Sequence, residues 1–385
     1  MKKLKQYIKS ILNKESFIYK VIRKIYHILS TFKYKIVNYT KNKKQRKYYT
    51  EQVNKAVKII NEKYKNAEYI VLYNPTWLGV ANSTKGLFKN IVPLEQVFGK
   101  KNINKISKAI LEANIKQVIF SQIVDGWTDV LKYIKDNNRN IIIKVIWHAN
   151  NYEVLSDYTW QLNKNVLELY NKNYINRFAF VKKNMVEFYN RVGYKASYIT
   201  NNVNTTGINK QKIKSTDFEN IRVGVYNANS RELKNAYTQL SAIKFTDNAK
   251  ADIVPTNEAI LKFANVINLE YTNLPDYIPT RELLERCQEN DINLYITYTE
   301  CSPMFPLESF EVGVPCLVGN NNDYFQDTEL GKYVIVNRED DAEYISKKII
   351  ECLKNKEKVM NLYRTWKEQY DKKCKEYVKE FIKND

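Results

Sequence analysis

Residues 300–319 read ECSPMFPLESFEVGVPCLVG, and the order of residue types in this stretch dictates a local structure. It follows an apolar run, 292–298, with the length and composition of a buried strand. Glu300 therefore falls at or just past a strand's carboxyl end. Pro306 suits the first turn of a helix, where its missing N–H costs nothing. Gly313 suits the helix stop, where a left-handed residue is wanted. The spacing predicts a short helix over 306–312 with its N-terminus turned toward a cleft. Such an end carries free N–H groups and a partial positive charge, and it attracts phosphate. Another short strand, 315–318, follows at once.

Outward from this stretch, short apolar runs alternate with helical ones. On the N-terminal side, strands are expected at 68–73, 117–121, 140–147, 178–181 and 196–200, with helices at 104–113, 126–136, 155–171 and 184–192. Residues 203–219 are polar and aperiodic and read as a linker. The alternation then restarts with strands at 222–226, 251–254, 266–269, 292–298, 315–318 and 333–336. Helices follow at 234–244, 280–289 and 342–354, and a last one at 356–382. This is an α/β pattern of parallel sheets covered on both faces. It divides into domains over 61–205 and 218–355, each doubly wound, with ligands expected at the carboxyl ends of the strands. No GxGxxG and no GxxxxGK[ST] occurs, so neither the dinucleotide fingerprint nor the P-loop applies.

Glu308 lies in the first turn of the expected helix, where a carboxylate can accept from both hydroxyls of a ribose. Glu300 lies on the loop in front of it, nearer the sugar end of a bound nucleotide sugar. The stretch resembles the Glu-x7-Glu motif of glycosyltransferase family 4 and its retaining GT-B relatives, and Glu308-x4-Gly313-x-Pro315 matches the motif's continuation. The resemblance covers residues 68–355. It implies the GT-B fold: two Rossmann-like domains facing across a cleft, with the last segment, 356–385, crossing back to the first domain. It also implies that Glu308 binds the ribose and that Glu300 contacts the transferred sugar. Arg231 and Lys234, after strand 222–226, correspond to an Arg and a Lys that neutralise the donor diphosphate in the family. Their spacing is shorter than the family's, and both could instead be solvated helix cations. Two cations can offset leaving-group charge without a metal, and no Asp-x-Asp is present. The expected enzyme thus needs no metal and no cofactor, with the nucleotide-diphosphate sugar as substrate.

The family often has glycines between its two glutamates, whereas this loop carries Pro303 and Pro306 and loses two N–H donors. Ser302, Met304 and Phe305 are the remaining backbone contacts for donor sugar and phosphate. His148 ends strand 140–147, where the resemblance implies a catalytic contact to the donor sugar; the residues alone equally allow a hydrogen-bonded structural His. The segment 74–80 resembles the family's acceptor-side loop. There Gly79 would permit close backbone approach, and Trp77 is either a sugar-stacking platform or part of the core. Glu311, one turn beyond Glu308, reads as structural.

Charge adds a second theme. The chain has 385 residues and a formal net charge of +20. Residues 1–50 hold 15 Lys/Arg and one acid, Glu15. Leu4, Ile8, Ile11, Leu12, Ile18, Val21, Ile22, Ile25, Leu29 and Phe32 recur at helical steps with bases opposite. The extension 1–60 therefore reads as a basic amphipathic segment. Residues 1–40 either lie on an anionic membrane surface or pack on the protein, and nucleic acid is not the expected partner. Five cysteines without CxxC spacing argue against a disulfide framework and a zinc site. No apolar run reaches the roughly 18 residues of a spanning helix, and no signal peptide is evident. The expected location is cytoplasmic, at the inner face of the cell membrane. The expected acceptor is a glycan or lipid-linked saccharide in bacterial surface polysaccharide, lipopolysaccharide or glycolipid biosynthesis. Two other readings are a GT-B nucleotide-sugar epimerase and a non-enzymatic membrane-bound adaptor.

Overall fold

The structure, a computed structural model, describes residues 44–152, 156–203, 213–226, 232–254, 258–275 and 279–384. The basic segment 1–40 and Arg231 lie outside the described residues. The first sheet contains β1 (Tyr69–Tyr73), β2 (Ile91–Pro93), β3 (Gln117–Ser121), β4 (Ile142–Trp147), β5 (Arg177–Phe180) and β6 (Ala196–Tyr198), in the order β2-β1-β3-β4-β5-β6. Packed with it are α1 (44–63), α2 (Leu78–Leu87), α3 (Lys100–Glu112), α4 (Trp127–Asn137), α5 (Asp157–Asn171) and α6 (Lys183–Arg191).

The second sheet contains β7 (Ile221–Val225), β8 (Ala249–Ile253), β9 (Tyr271–Asn273), β10 (Ile292–Tyr295), β11 (Cys316–Gly319) and β12 (Ile335–Val336), in the order β12-β11-β10-β7-β8-β9. With it go α7 (Ala236–Lys244), α8 (Glu258–Val266), α9 (Thr280–Cys287), α10 (Met304–Glu311), α11 (Glu329–Val334) and α12 (Ala342–Lys354). All ten strand pairings are parallel. This is the GT-B architecture of two doubly wound domains. The strand order reverses between β1 and β3 in one sheet and between β7 and β10 in the other, and such switch points open a crevice at the carboxyl edge.

Where propensity and packing agree, the expected elements appear; β3 is buried at every position, as a strand covered on both faces must be. Several segments differ: α8 and α11 are additional helices, and residues 333–334, expected as strand, end α11. Residues 266–269 were expected as a strand but end α8 and turn, and the strand comes at Tyr271–Asn273. Its Tyr and Thr are β-formers that the apolar criterion passed over. β2 is only three residues long. Residues 78–87 form α2, although Gly79, Asn82, Ser83 and Thr84 are poor helix formers; Ala81, Ser83 and Thr84 are buried there, so packing overrides propensity.

The last helix, α13 (Lys356–Lys383), has 28 residues and at ~1.5 Å per residue spans about 42 Å. Its first half stacks Tyr363 on Phe310 at 4.4 Å in the second domain. Its second half places Phe381, fully buried, with Val71, Ile119 and Ile146 of the first sheet. One buried residue holds its carboxyl end. Lys144 in β4 is fully buried, and its ammonium donates to the carbonyls of Phe381 (2.7 Å), Ile382 (3.1 Å) and Asn384 (2.6 Å). Gln117 of β3 adds a bond to Ile382 O at 3.1 Å. A helix end leaves carbonyls without partners and carries negative partial charge, and a buried cation satisfies both. Lys144→Met keeps the stem and removes the donors. The expected result is a loss of about 3 kcal/mol in urea unfolding, with Phe381→Ala losing a similar amount through its cavity.

Candidate functional site

The two carboxyl edges face one another, and the second domain's switch point lies between β7 and β10. Lys234 follows β7 and Glu300 follows β10. Lys234 ends a 3-10 turn, Glu232–Lys234, rather than opening the helix itself. Asn235 then takes a left-handed conformation, φ 52°, and lets α7 start at Ala236. Gln239, fully buried, donates to Lys234 O at 2.8 Å and accepts from Ile296 N at 3.1 Å, so it fixes both flanks of the switch point. The Lys234 ammonium forms a close ion pair with the Glu300 carboxylate, both side chains being 13% exposed. Tyr295 completes a triangle: its hydroxyl donates to Glu300 Oε1 at 3.0 Å and accepts from Lys234 Nζ at 3.1 Å. Burial, followed by the charge of Glu300, pushes the Tyr295 phenol well above its ordinary range, so it remains a donor.

Helix α10 begins at Met304, two residues before the expected start, with Pro303 at its N-cap. Met304, Phe305 and Pro306 thus form its first turn instead of a loop, and the side chains of Met304 and Phe305 are buried. Gly313, φ 93°, ends the helix region as its sequence position requires. A buried relay holds the helix on its sheet: Asn293 Nδ2 donates to Ser309 Oγ at 2.8 Å, and Ser309 Oγ to Val314 O at 2.8 Å. Glycine at 224 makes room for it, because a Cβ there would lie 2.1 Å from Asn293 Oδ1. Glu311 accepts from the Tyr363 hydroxyl at 2.9 Å, which is the structural role expected of it.

Glu308 is buried, and its Oε1 accepts from Asn82 Nδ2 of α2 at 3.3 Å across the crevice. Burial raises its pKa, and the Asn82 bond opposes this. Both glutamates lie at the interdomain crevice, but because α10 starts early Glu308 is its fifth residue, in the second turn rather than the first turn expected from the sequence.

His148 ends β4 on the opposite wall, and burial lowers its pKa to about 4, against a smaller raising effect of Asn201. It is neutral at physiological pH. Its Nε2 lies 2.9 Å from Ser121 Oγ, which lies 2.7 Å from Thr84 Oγ1, and Thr84 donates to Val80 O at 2.8 Å. Hydrogen counting along this chain puts the ring proton on Nε2. Nδ1 makes no hydrogen bond among the described residues. The His148 carbonyl accepts from Cys301 Sγ at 2.8 Å.

Further bonds close the crevice. Lys182, two residues past β5, donates to Glu300 O and Asn321 O, both at 2.7 Å. Asn150 Nδ2 donates to Thr299 Oγ1 at 3.1 Å. Ser302 accepts from Asn201 through both its Oγ (3.2 Å) and its carbonyl (2.5 Å). Gly86 of α2 approaches the chain at Asn202 so closely that a Cβ would meet that carbonyl at 2.6 Å. Trp77 is 36% exposed at the start of α2. Gly79 lies inside that helix rather than in a loop, and a Cβ there would meet nothing within 4 Å. No part of the protein therefore requires a glycine at 79, and the space beside it is open. Lys182, Asn82 and Tyr295 escaped the sequence reading. Lys182 alone had a signal, a cation at a strand's carboxyl end.

No protein-family model matches the chain, and no curated protein matches it in sequence. Solved structures do match. The HepE protein of Anabaena, solved in complex with UDP and glucose, is 12% identical, with a TM-score of 0.57 over 77% of this chain and 92% of that one. An α,α-trehalose-phosphate synthase (UDP-forming) from Burkholderia xenovorans is 7% identical, with a TM-score of 0.57 over 82% and 99%. A sucrose-phosphate synthase from Thermosynechococcus elongatus is 14% identical, with a TM-score of 0.51 over 75% and 78%. At these identities the likeness is one of fold.

The burial of Glu308 has a measurable consequence. Its folded pKa is raised, so the native state favours the protonated form and loses stability as pH rises through that pKa. Glu308→Gln is therefore expected to raise the melting temperature at pH 7.5. The gain should vanish below the ordinary glutamate value of 4.5, as read by thermal denaturation across pH.

Proposed function

We propose that this protein is a retaining, metal-independent glycosyltransferase that moves a sugar from a nucleotide-diphosphate sugar to a glycan or lipid-linked saccharide. The observation that carries this reading is the joint placement of Glu300 and Lys234 in front of α10 and of Glu308 within it, at the switch point of the second domain. A helix end of this kind favours phosphate. Glu308 would accept from the ribose hydroxyls, exchanging the long bond to Asn82 for two shorter ones. Lys234 would meet the donor diphosphate and, with Arg231, offset the charge of the departing nucleotide. That role asks Lys234 to leave Glu300, which is then free to accept from hydroxyls of the transferred sugar. Tyr295 keeps Glu300 oriented through the exchange. His148 would meet the transferred sugar from the other wall. The backbone of Ser302, Met304 and Phe305 would line the sugar and phosphate. A shut crevice excludes water and favours transfer over hydrolysis.

The fold supports this reading through its neighbours, which include a protein solved with UDP and glucose and a UDP-forming synthase. For the acceptor, the support is the basic N-terminal segment. It would hold the enzyme at the inner face of the cell membrane, where lipid-linked saccharides for surface polysaccharide, lipopolysaccharide or glycolipid are exposed. Trp77 would meet the acceptor. Among the described residues no helix is long and apolar enough to cross a membrane.

Thermal-shift titration with UDP-, GDP- and dTDP-sugars tests the donor. One nucleotide class should raise the melting temperature of the wild type, and Glu308→Ala should abolish the shift. Glu300→Ala should keep nucleotide affinity within a few-fold and lower transfer by about 100-fold or more. Nucleotide binding that survives Glu308→Ala unchanged would refute the site.

A further inference from the structure

Helices α1 and α3 begin side by side. Asn102 Nδ2 donates to Thr50 Oγ1 and to Phe98 O, each at 3.0 Å, and Lys105 Nζ donates to Asn54 Oδ1 at 2.6 Å. Because α3 follows β2, both helices start at the carboxyl edge of the first sheet, on its outer strand. Three aromatic rings meet there, Tyr49 with Phe98 at 4.8 Å and with Tyr48 at 5.4 Å. Tyr48 is 44% and Phe98 39% exposed. Their framework is fixed: the hydroxyls of Tyr48 and Tyr49 donate to Glu95 Oε1 (2.6 Å) and Gln96 Oε1 (3.0 Å).

Around the rings Lys44, Arg46, Lys47, Lys100 and Lys101 are all exposed, against one exposed acid, Glu51. Five bases less Glu51 and the buried Glu95 that holds Tyr48 give this rim a formal charge of +3. The chain enters at this point, at Lys44, from a segment of the same sign. Rigid rings among bases, with little compensating acid, match a lipid headgroup layer, where aromatic bodies bury and ammonium groups meet phosphate.

From these placements we infer that the rim formed by Tyr48, Tyr49, Phe98 and the bases at 44–47 and 100–101 is the face this protein lays on an anionic phospholipid bilayer. The contact reaches beyond the N-terminal segment and fixes an orientation. Strand β1 pairs directly with β2, at a spacing of about 4.8 Å. Past its carboxyl end come Trp77 and Leu78, 36% and 42% exposed. Exposed apolar side chains are thus also found at the start of α2, on the neighbouring strand's carboxyl side, and Asn82 of that helix touches Glu308. The bilayer would border the crevice mouth, and a lipid-linked acceptor would enter sideways without leaving the membrane. This last step rests on the glycosyltransferase reading, whereas bilayer contact does not.

Flotation of the full chain on phosphatidylcholine vesicles with and without phosphatidylglycerol tests the assignment. The triple variant Phe98→Ser, Lys100→Glu, Lys101→Glu is compared with Lys372→Glu, Lys373→Glu, a matched charge change on exposed α13 residues. The rim variant should bind phosphatidylglycerol vesicles at least about tenfold more weakly, since each base near such a surface contributes on the order of 1 kcal/mol. The α13 variant should bind like wild type. Equal flotation of the rim variant and wild type overturns the assignment, as does equal loss in both variants or wild-type preference for duplex DNA over the vesicles. Thermal shifts with nucleotide sugars are run on the same samples. Lipid binding without any nucleotide response supports the rim and sinks the enzyme reading, and the converse leaves the enzyme reading standing alone.

Discussion

The capture of one helix end by Lys144 underlies the rest of this structure. A lysine in the middle of a central strand would be intolerable without partners, because a buried ammonium lacking them costs several kcal/mol. Carbonyls at the end of α13 supply them. The helix that begins in the second domain is thereby anchored under the first sheet, and the two carboxyl edges are kept opposite one another. That arrangement brings His148 of the first domain opposite Glu300, Glu308 and Lys234, which already share the second domain's switch point.

The charges at the crevice are already paired before any ligand arrives. Lys234 holds Glu300, Tyr295 bonds to both, and Asn82 bonds to Glu308. This follows from burial: groups so poorly exposed must find partners within the protein. A donor diphosphate would compete with Glu300 for Lys234, and a ribose would compete with Asn82 for Glu308. Affinity would then be a difference between two sets of hydrogen bonds, and selectivity would depend on how well the incoming groups replace those they displace. The asymmetry between the glutamates is informative. Glu300 has a cation at hand and Glu308 has only a long amide bond, so Glu308 has more to gain from a ligand.

Much of this was legible in the sequence. Apolar runs of strand length separated by helices fixed two parallel sheets. Pro306, Gly313 and the spacing of the two glutamates located the short helix to within two residues. Local pattern could not show α2, whose Gly, Asn, Ser and Thr residues become helical only through contact with the sheet and with residue 202. Nor could it show Tyr271–Asn273, a strand without an aliphatic residue. In the site, Glu300 and Lys234 are 66 positions apart and yet paired. Sequence suggested both as ligands for one substrate but gave no sign that they bind each other. Asn82 lay in a helix that local pattern did not show, and Lys182, a cation past a strand's end, is ordinary until the second domain is opposite it.

The two places where the chain passes between domains lie against each other. Tyr370 of α13 donates to Asn201 O at 2.5 Å, and Asn202 Nδ2 donates to Asp371 Oδ1 at 2.9 Å. Relative rotation of the domains must pass near this junction, as a door turns about its hinge line. Asn82 and Lys182 make their contacts at other points of the crevice. A small swing about that axis would part those contacts together while leaving the Asn201–Tyr370 junction intact, so admission of a nucleotide and release of a product would share one mechanical coordinate.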